Sequence, residues 1–281
     1  MVSRIVSHFA STTSFAVNDE VALFRALAKS ICGFLPAVFI DETHGAHKAN
    51  VEFTSSIGNS ERCEISDLLI VSYNHSEPTR VTFWQAKKQS SSKWQKYTSE
   101  LGHLDFDGQY NQWDLLSRRP DIKGVGAFSP PATLLSSFSS AIGSFGVFYS
   151  NGTSIEVNHS TAEFVSCFAP SLTKSKMHIN GVFANYFSPS RELISRPTLE
   201  GFLRALTSHH IGAEIDLRKP EHKWLLSYII SKLPASGTGQ GVADMFRNRH
   251  SEEGAVKMDD PKGDGISILL VGTDSNLQLG I

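Results

Sequence analysis

Hydrophobic positions near the start of the chain recur at helical spacing. Between residues 21 and 31 the apolar side chains repeat with a period close to 3.6, which predicts an amphipathic helix. Asn18 is expected to cap this helix, and Asp19 and Glu20 suit the positive end of its dipole. Gly33 is expected to end it.

The next part of the chain alternates in the manner of β-strands. Three strands are expected, separated by polar turn-forming residues, over 51–57, 64–73 and 80–87. The turn at 74–79 contains Asn, Ser and Pro, so the last two strands are expected to form an antiparallel pair within a meander. A helix over 107–117 and a strand over 144–150 follow. This order predicts an α/β fold with a helix, a three-strand meander, a helix and a strand.

The second half of the chain predicts a mixed, mainly helical region without a recognisable motif. Expected elements are three helices and a final strand, over 198–210, 221–233, 242–249 and 266–272. The Ser-rich stretch 129–144 is a candidate linker. We therefore expect a first domain over residues 1–150 and an accessory region over 151–281 for partner binding, oligomerisation or sensing.

Composition and charge exclude several classes of protein. The 281 residues are 40% hydrophobic and 19% charged, which excludes disordered, collagen-like and coiled-coil chains. The chain has 26 Lys and Arg residues and 28 Asp and Glu residues, so its net charge is −2. Any nucleic-acid contact would therefore need a local basic patch. Three cysteines without a CxxC pair indicate neither a disulfide framework nor a zinc site. No signal peptide or membrane-length apolar run is found, so a cytoplasmic location without a membrane is expected.

Two neighbouring apolar strands are expected to carry charged and polar side chains that could form a catalytic site. Asp67 lies in an apolar run, and Gln85 and Lys87 end the next expected strand. An unpaired buried charge costs several kcal/mol, and a bound metal ion would compensate the charge of the carboxylate. A register that pairs Asp67 with Gln85 would place both on one face with Lys87. Carboxylate and amide oxygens suit Mg²⁺, and the lysine could orient or deprotonate a water, so the set suits phosphodiester hydrolysis.

The pattern of Asp67 followed by Gln85-x-Lys87 resembles the PD-(D/E)XK nuclease superfamily, in the D…QxK branch that includes Mrr-type restriction and antiphage defence nucleases. The resemblance implies a restriction-endonuclease-like core, Mg²⁺ or Mn²⁺ as cofactor, and DNA as substrate. It assigns Asp67 and Gln85 to metal binding and Lys87 to the motif lysine, and it makes Glu20 the candidate for an added helix glutamate. Two departures are Ser66 in place of the usual proline and the absence of a second acid.

The resemblance also implies a biological setting. It predicts a metal-dependent DNA endonuclease, the nuclease component of a bacterial antiphage defence or restriction system, acting as a homo-oligomer or with a partner protein. The alternatives are a catalytically inactive nuclease-fold subunit that serves as a protein-interaction module, and an RNA nuclease. The residues themselves also allow simpler interpretations: a charged strand end at the solvent boundary, and Glu20 as an ordinary helix-start acid.

A stretch of basic and aromatic residues follows the motif lysine, Lys87. Lys88, Lys93, Trp94 and Lys96 interleave positive charge with an aromatic ring, a composition suited to binding phosphates and stacking on bases. This predicts a DNA-binding segment. The alternative is a solvated linker.

Overall fold

The computed structural model describes residues 1–42, 49–90, 95–96, 102–166, 177–183, 185–237, 239–251 and 265–273. These residues form a mixed α/β structure. Its helices are α1 (Val2–Thr12), α2 (Glu20–Cys32), α3 (Tyr110–Arg118), α4 (Ala162–Ser166), α5 (Leu199–Thr207), α6 (Pro220–Lys232) and α7 (Gln240–Ser251), with a 3₁₀ turn at Ser140–Ile142. Within the described ranges, none of these helices has the length and apolar character needed to cross a bilayer.

The structure contains fifteen strands in the described residues, numbered in chain order. They are β1 (Ala37–Ile40), β2 (Asn50–Thr54), β3 (Ser60–Glu64), β4 (Leu68–Tyr73), β5 (Arg80–Lys88), β6 (Gln95–Lys96), β7 (Gly102–Gly108), β8 (Ile122–Gly124), β9 (Gly143–Ser150), β10 (Ile155–Thr161), β11 (Met177–Phe183), β12 (Tyr186–Phe187), β13 (Leu193–Arg196), β14 (Ala213–Glu214) and β15 (Ser267–Gly272).

The main sheet is mixed and has the order β1-β15-β4-β5-β9-β10-β13-β12, with β14 paired to β5. The pairs β15–β4 and β5–β9 are parallel, and β4–β5 is antiparallel. Two smaller sheets have the orders β11-β7-β6 and β3-β2-β8. Strands β4 and β5 therefore lie at the centre of the main sheet.

Helices cover both faces of this central sheet. Strand β4 is buried along its whole length, as expected of a strand with a continuous apolar run and protein on both sides. Leu68 and Ile70 join a core formed with helices α1, α2 and α5, whereas Leu69 and Val71 join a core formed with α3, α4, α6 and α7. The alternation of side chains along β4 thus divides the core into two layers.

The first predicted helix is present as α2, but its cap differs from the prediction. Asp19, and not Asn18, caps the helix, and its carboxylate accepts the Ala22 amide at 2.7 Å. The Asn18 side chain instead accepts the Ser14 amide at 2.7 Å, which closes the loop before the helix. The prediction for Asn18 is therefore wrong by one residue, because its side chain is used to form the preceding turn.

The predicted three-strand meander is wrong in its first member. Strand β2 pairs with β3 and β8 in a separate sheet, and the other edge of β4 pairs with β15. The single strand expected over 64–73 is broken between β3 and β4. Within that break the Ile65 amide donates to Ala49, while the Asp67 carboxylate accepts a β5 amide, so the backbone leaves one sheet and enters the other.

The second half is mixed, as predicted, but it also contains strands that were not predicted. Strand β10 pairs with β9 along seven residues, and β13 extends the sheet beyond it. The sequence of β10, Ile-Glu-Val-Asn-His-Ser-Thr, has few apolar residues, so its strand character depends on pairing with β9 and not on a local apolar pattern. The expected helices of this half are present as α5, α6 and α7, and the final strand as β15.

The residues on either side of position 150 share one sheet. Ser150 is the last residue of β9 and pairs with Ile155 of β10, and β15 lies between β1 and β4. The prediction of a linker over 129–144 is wrong. Leu134 and Leu135 within it are fully buried and belong to the core that also contains residues of α3, α4, α6 and α7.

Candidate functional site

The predicted site residues meet where β5 ends and β4 begins. Leu68 lies opposite Trp84 and Leu69 opposite Phe83. Asp67 precedes this ladder, and extending the register by one residue would place it opposite Gln85, as expected from the sequence. Because β4 and β5 are antiparallel, the residue before β4 meets the last residues of β5 at the same end of the sheet.

A backbone hydrogen bond holds the Asp67 carboxylate at this end. Its Oδ2 accepts the Ala86 amide at 2.8 Å. Asp67 precedes the first residue of β4, so its side chain takes a position in the ladder that a strand carbonyl would otherwise fill. A carboxylate held by a backbone N–H has a fixed position, and the two oxygens of a carboxylate can accept more bonds than one donor supplies.

Helix α2 contributes Glu20 to the same place. The Oε1 atom of Glu20 accepts the Lys88 amide at 3.1 Å, and its Oε2 atom lies 4.0 Å from Nζ of Lys87. Burial raises the pKa of the Glu20 carboxyl, against the opposing effects of the Lys87 ammonium and the Lys88 amide, and the nearby Asp67 charge raises it further. Glu20 thus interacts electrostatically with both Asp67 and Lys87, although 67 positions separate Glu20 from Lys87 in sequence.

Lys87 is a buried cation with a loose ion pair. It is only 6% exposed, and the 4.0 Å distance to Glu20 is longer than a hydrogen bond. Removing an ammonium from water costs several kcal/mol unless close partners compensate. The Lys87 ammonium is therefore held in a place where a further negative group would stabilise it.

Gln85 is fully buried, and neither its Oε1 nor its Nε2 atom has a hydrogen-bond partner among the described residues. An unsatisfied buried polar group costs about 1–3 kcal/mol. Such a group is explained if a ligand or an ordered water meets the amide. By strand alternation Gln85 shares a face of β5 with Lys87, so its amide is a candidate ligand at this end of the strand.

The donor set fits a hard divalent cation. Two carboxylates, Asp67 and Glu20, and the amide oxygen of Gln85 are oxygen ligands of the kind Mg²⁺ prefers, and Mg²⁺ keeps several waters beside one or two carboxylates. In the described ranges, no group of three or more His, Cys, Asp or Glu side chains could hold a metal ion. The candidate site thus depends on the neutral amide as its third protein ligand.

The predicted DNA-binding residues are only partly within the described chain. Lys93 and Trp94 lie outside the described residues; Lys96 lies in β6, but its side chain is not described. Lys88 donates from Nζ to the Asn18 carbonyl at 3.0 Å, and its Nζ lies 4.6 Å from the centre of the Phe15 ring. The predicted role of Lys88 in DNA binding stays a prediction, and its observed contacts are within the chain.

Sequence reasoning missed Phe15 and the Asn18 carbonyl as neighbours of the site. Lys88 and Asn18 are 70 residues apart, so no local pattern of residues could indicate their contact. The only signal was the position of both in segments next to predicted site residues, Glu20 on one side and Lys87 on the other.

No protein-family model, curated protein or solved structure matches this chain. The geometry of the residues themselves is what supports a function.

Proposed function

We propose that this protein is a metal-dependent nuclease that hydrolyses phosphodiester bonds in DNA. Asp67, Glu20 and Gln85 would hold Mg²⁺ or Mn²⁺, and Lys87 would act at the phosphate. The observation that carries the proposal is the meeting of two carboxylates, Glu20 and Asp67, with the buried Lys87 ammonium at one end of β5. The same strand carries the fully buried Gln85 amide, which has no partner among the described residues.

The side chains suggest a division of labour. When bound, a divalent cation supplies Lewis-acid stabilisation of charge on a phosphate oxygen. Lys87 can donate hydrogen bonds to the phosphate or orient an attacking water, since its ammonium is desolvated and only loosely paired with Glu20. Asp67 is held by the Ala86 amide, and this bond limits movement of the carboxylate during the reaction.

The arrangement of elements supports a restriction-endonuclease-like core. Helix α2, the antiparallel pair β4–β5, helix α3 and strand β9, which is parallel to β5, follow the order implied by the resemblance. The departure is the first strand of the expected meander, which β2 and β3 do not supply to this sheet. A role in antiphage defence or restriction is part of the proposal through the resemblance of the D…QxK residues.

The proposal is tested by incubating purified protein with supercoiled plasmid DNA and Mg²⁺ or Mn²⁺, beside Lys87→Ala. We expect metal-dependent nicking or linearisation by the wild type, which the chelator EDTA stops, and none by the variant. A parallel incubation with RNA distinguishes the RNA nuclease. Equal cleavage by wild type and Lys87→Ala would refute the assigned site.

A second candidate function is a protein-interaction module with an inactive nuclease fold. It is favoured by β12 at the edge of the main sheet, where Tyr186 is 59% and Phe187 43% exposed. An edge strand that carries exposed aromatic side chains can pair with another chain. For this candidate we expect no cleavage of any nucleic acid, and loss of self-association or partner binding in Phe187→Ser.

A further inference from the structure

Lys88 contacts the start of helix α2 through two different groups. Its backbone amide donates to Oε1 of Glu20 at 3.1 Å, and its Nζ donates to the Asn18 carbonyl at 3.0 Å. The two bonds lie on either side of Asp19, whose carboxylate caps the helix by accepting the Ala22 amide at 2.7 Å. One residue of β5 thus holds the residue before the cap and the residue after it.

The Phe15 ring completes this contact. Nζ of Lys88 lies 4.6 Å from the ring centre, within the range in which an ammonium is attracted to an aromatic face. Phe15 belongs to the loop between α1 and α2, and the Asn18 side chain closes that loop by accepting the Ser14 amide. The Lys88 ammonium therefore connects the loop to the strand that carries Gln85 and Lys87.

We propose that Lys88 is a positioning residue that fixes the start of α2 and so sets Glu20 beside Asp67 and Lys87. This inference rests on the proposed function of that site, and it replaces a direct contact between Lys88 and DNA. A lysine that grips a phosphate needs its ammonium free to reach the duplex. The Lys88 ammonium is instead hydrogen-bonded to a carbonyl and placed over a ring of its own chain.

The expected change in metal affinity follows from the way in which residues that do not touch the metal orient its ligands. A residue that orients a ligand typically changes metal affinity or activity by about 10–100-fold when it is replaced. Lys88→Met keeps the length of the side chain and the backbone bond to Glu20 but removes the bond to Asn18, so the start of α2, and Glu20 with it, should be held less firmly. Lys88→Arg can still donate to the carbonyl and lie over Phe15, and it should retain most of the affinity.

The test is calorimetric titration of Mn²⁺ into wild type, Lys88→Met, Lys88→Arg, Glu20→Gln and the double variant Glu20→Gln/Lys88→Met. We expect Lys88→Met to weaken Mn²⁺ binding by about 10–100-fold. Because Lys88 acts through Glu20, the double variant should bind no more weakly than Glu20→Gln alone. Additive losses, or unchanged affinity in Lys88→Met, would overturn the inference.

Duplex binding without metal separates positioning from DNA contact. For a positioning residue, Lys88→Met should bind a DNA duplex as the wild type does, with the same dependence on salt. A slope of log K against log salt that is shallower by about 0.9, the value for one lost phosphate contact on B-form DNA, would assign Lys88 to DNA and overturn the inference.

Amide hydrogen exchange gives a readout that needs no metal. In Lys88→Met we expect faster exchange at the amide of residue 88, which bonds Glu20, and at Ala22, which bonds the helix cap. Unchanged exchange at both would overturn the inference. If the wild type binds no Mn²⁺, the proposed function fails, and the exchange rates still decide whether Lys88 holds the start of α2.

Discussion

The two ends of β5 both bury a cation, but they treat it differently. At the start of the strand, Arg80 is 5% exposed and its two terminal nitrogens donate to the Glu214 carboxylate and, at 3.1 Å, to the Gly212 carbonyl. At the end, Lys87 is 6% exposed and lies 4.0 Å from Glu20. Similar burial is thus combined with close partners at one end and a distant one at the other.

Buried polar groups surround both cations. Near Arg80, the buried His209 and His250 rings bond the Pro78 carbonyl at 2.7 Å and the Thr79 hydroxyl at 3.0 Å. Among the described residues, the Gln85 amide near Lys87 and the Nε atom of Arg80 itself both lack a partner. The two ends therefore differ in their ion pairs, and the loose pair of Lys87 is the physical basis for placing a ligand site at the end.

The largest expected effect concerns catalysis at the end of β5. Asp67→Ala and Lys87→Met should each reduce metal-dependent DNA cleavage by at least about 10²-fold, since acid–base and positioning contributions are usually of this size. Arg80→Met is the matched control, and it should keep the cleavage rate per folded molecule. Single-turnover plasmid cleavage measures all three, and a comparable loss in Arg80→Met would remove the distinction between the two ends.

The same variants should behave in the opposite way in stability. Arg80→Met should lower the free energy of unfolding by about 2 kcal/mol, because hydrogen bonds to a charged group are lost and a buried carbonyl is left without its donor. Lys87→Met should be neutral or stabilising, because a loosely paired buried charge is replaced by an apolar chain. Urea unfolding followed by circular dichroism measures both. Equal destabilisation would show that Lys87 is a structural cation like Arg80.

Gln85 should show a trade between stability and binding. Gln85→Leu removes two buried polar atoms without partners and should raise the free energy of unfolding by about 1 kcal/mol in metal-free protein. It should also weaken Mn²⁺ binding, whereas Gln85→Glu, with an oxygen at the same place, should retain it. Unfolding in EDTA and Mn²⁺ titration are the two measurements. Unchanged Mn²⁺ affinity in Gln85→Leu would exclude the amide as a ligand.

The smallest expected effect is a pH dependence at Glu20. Burial raises its pKa in the folded protein, so folding disfavours the ionised form. The stability associated with the protonated carboxyl is fully present below the ordinary value of 4.5 and is lost as the pH rises through the raised value. Metal-free Glu20→Gln should therefore gain stability relative to wild type as pH rises through this window. A constant difference across the window would contradict a raised pKa.

Local patterns predicted some parts of the molecule well. The apolar period of α2 and the buried runs of β4 and β5 appear near their expected positions, because each is determined by side chains within a few residues. The observed pairing of β4 with β5 has the register on which the prediction for Asp67, Gln85 and Lys87 was based. Glu20 followed from the family resemblance, and the structure places it beside Lys87.

Contacts between distant parts of the chain could not be predicted. The insertion of β15 next to β4 joins residues about 200 positions apart, and no pattern in either strand specifies its neighbour. The break at Ile65–Asp67 depends on the Ala49 carbonyl and the Ala86 amide, which come from two other segments. The contact of Lys88 with Phe15 and Asn18 belongs to the same class.

The central claim is that the end of β5 is a divalent cation site, and calorimetric titration of Mn²⁺ tests it most directly. Wild type and Arg80→Met should bind one Mn²⁺ per chain, and Asp67→Ala should lose this binding while keeping the wild-type circular dichroism spectrum. Absence of binding in wild type, or equal binding in wild type and Asp67→Ala, would contradict the claim.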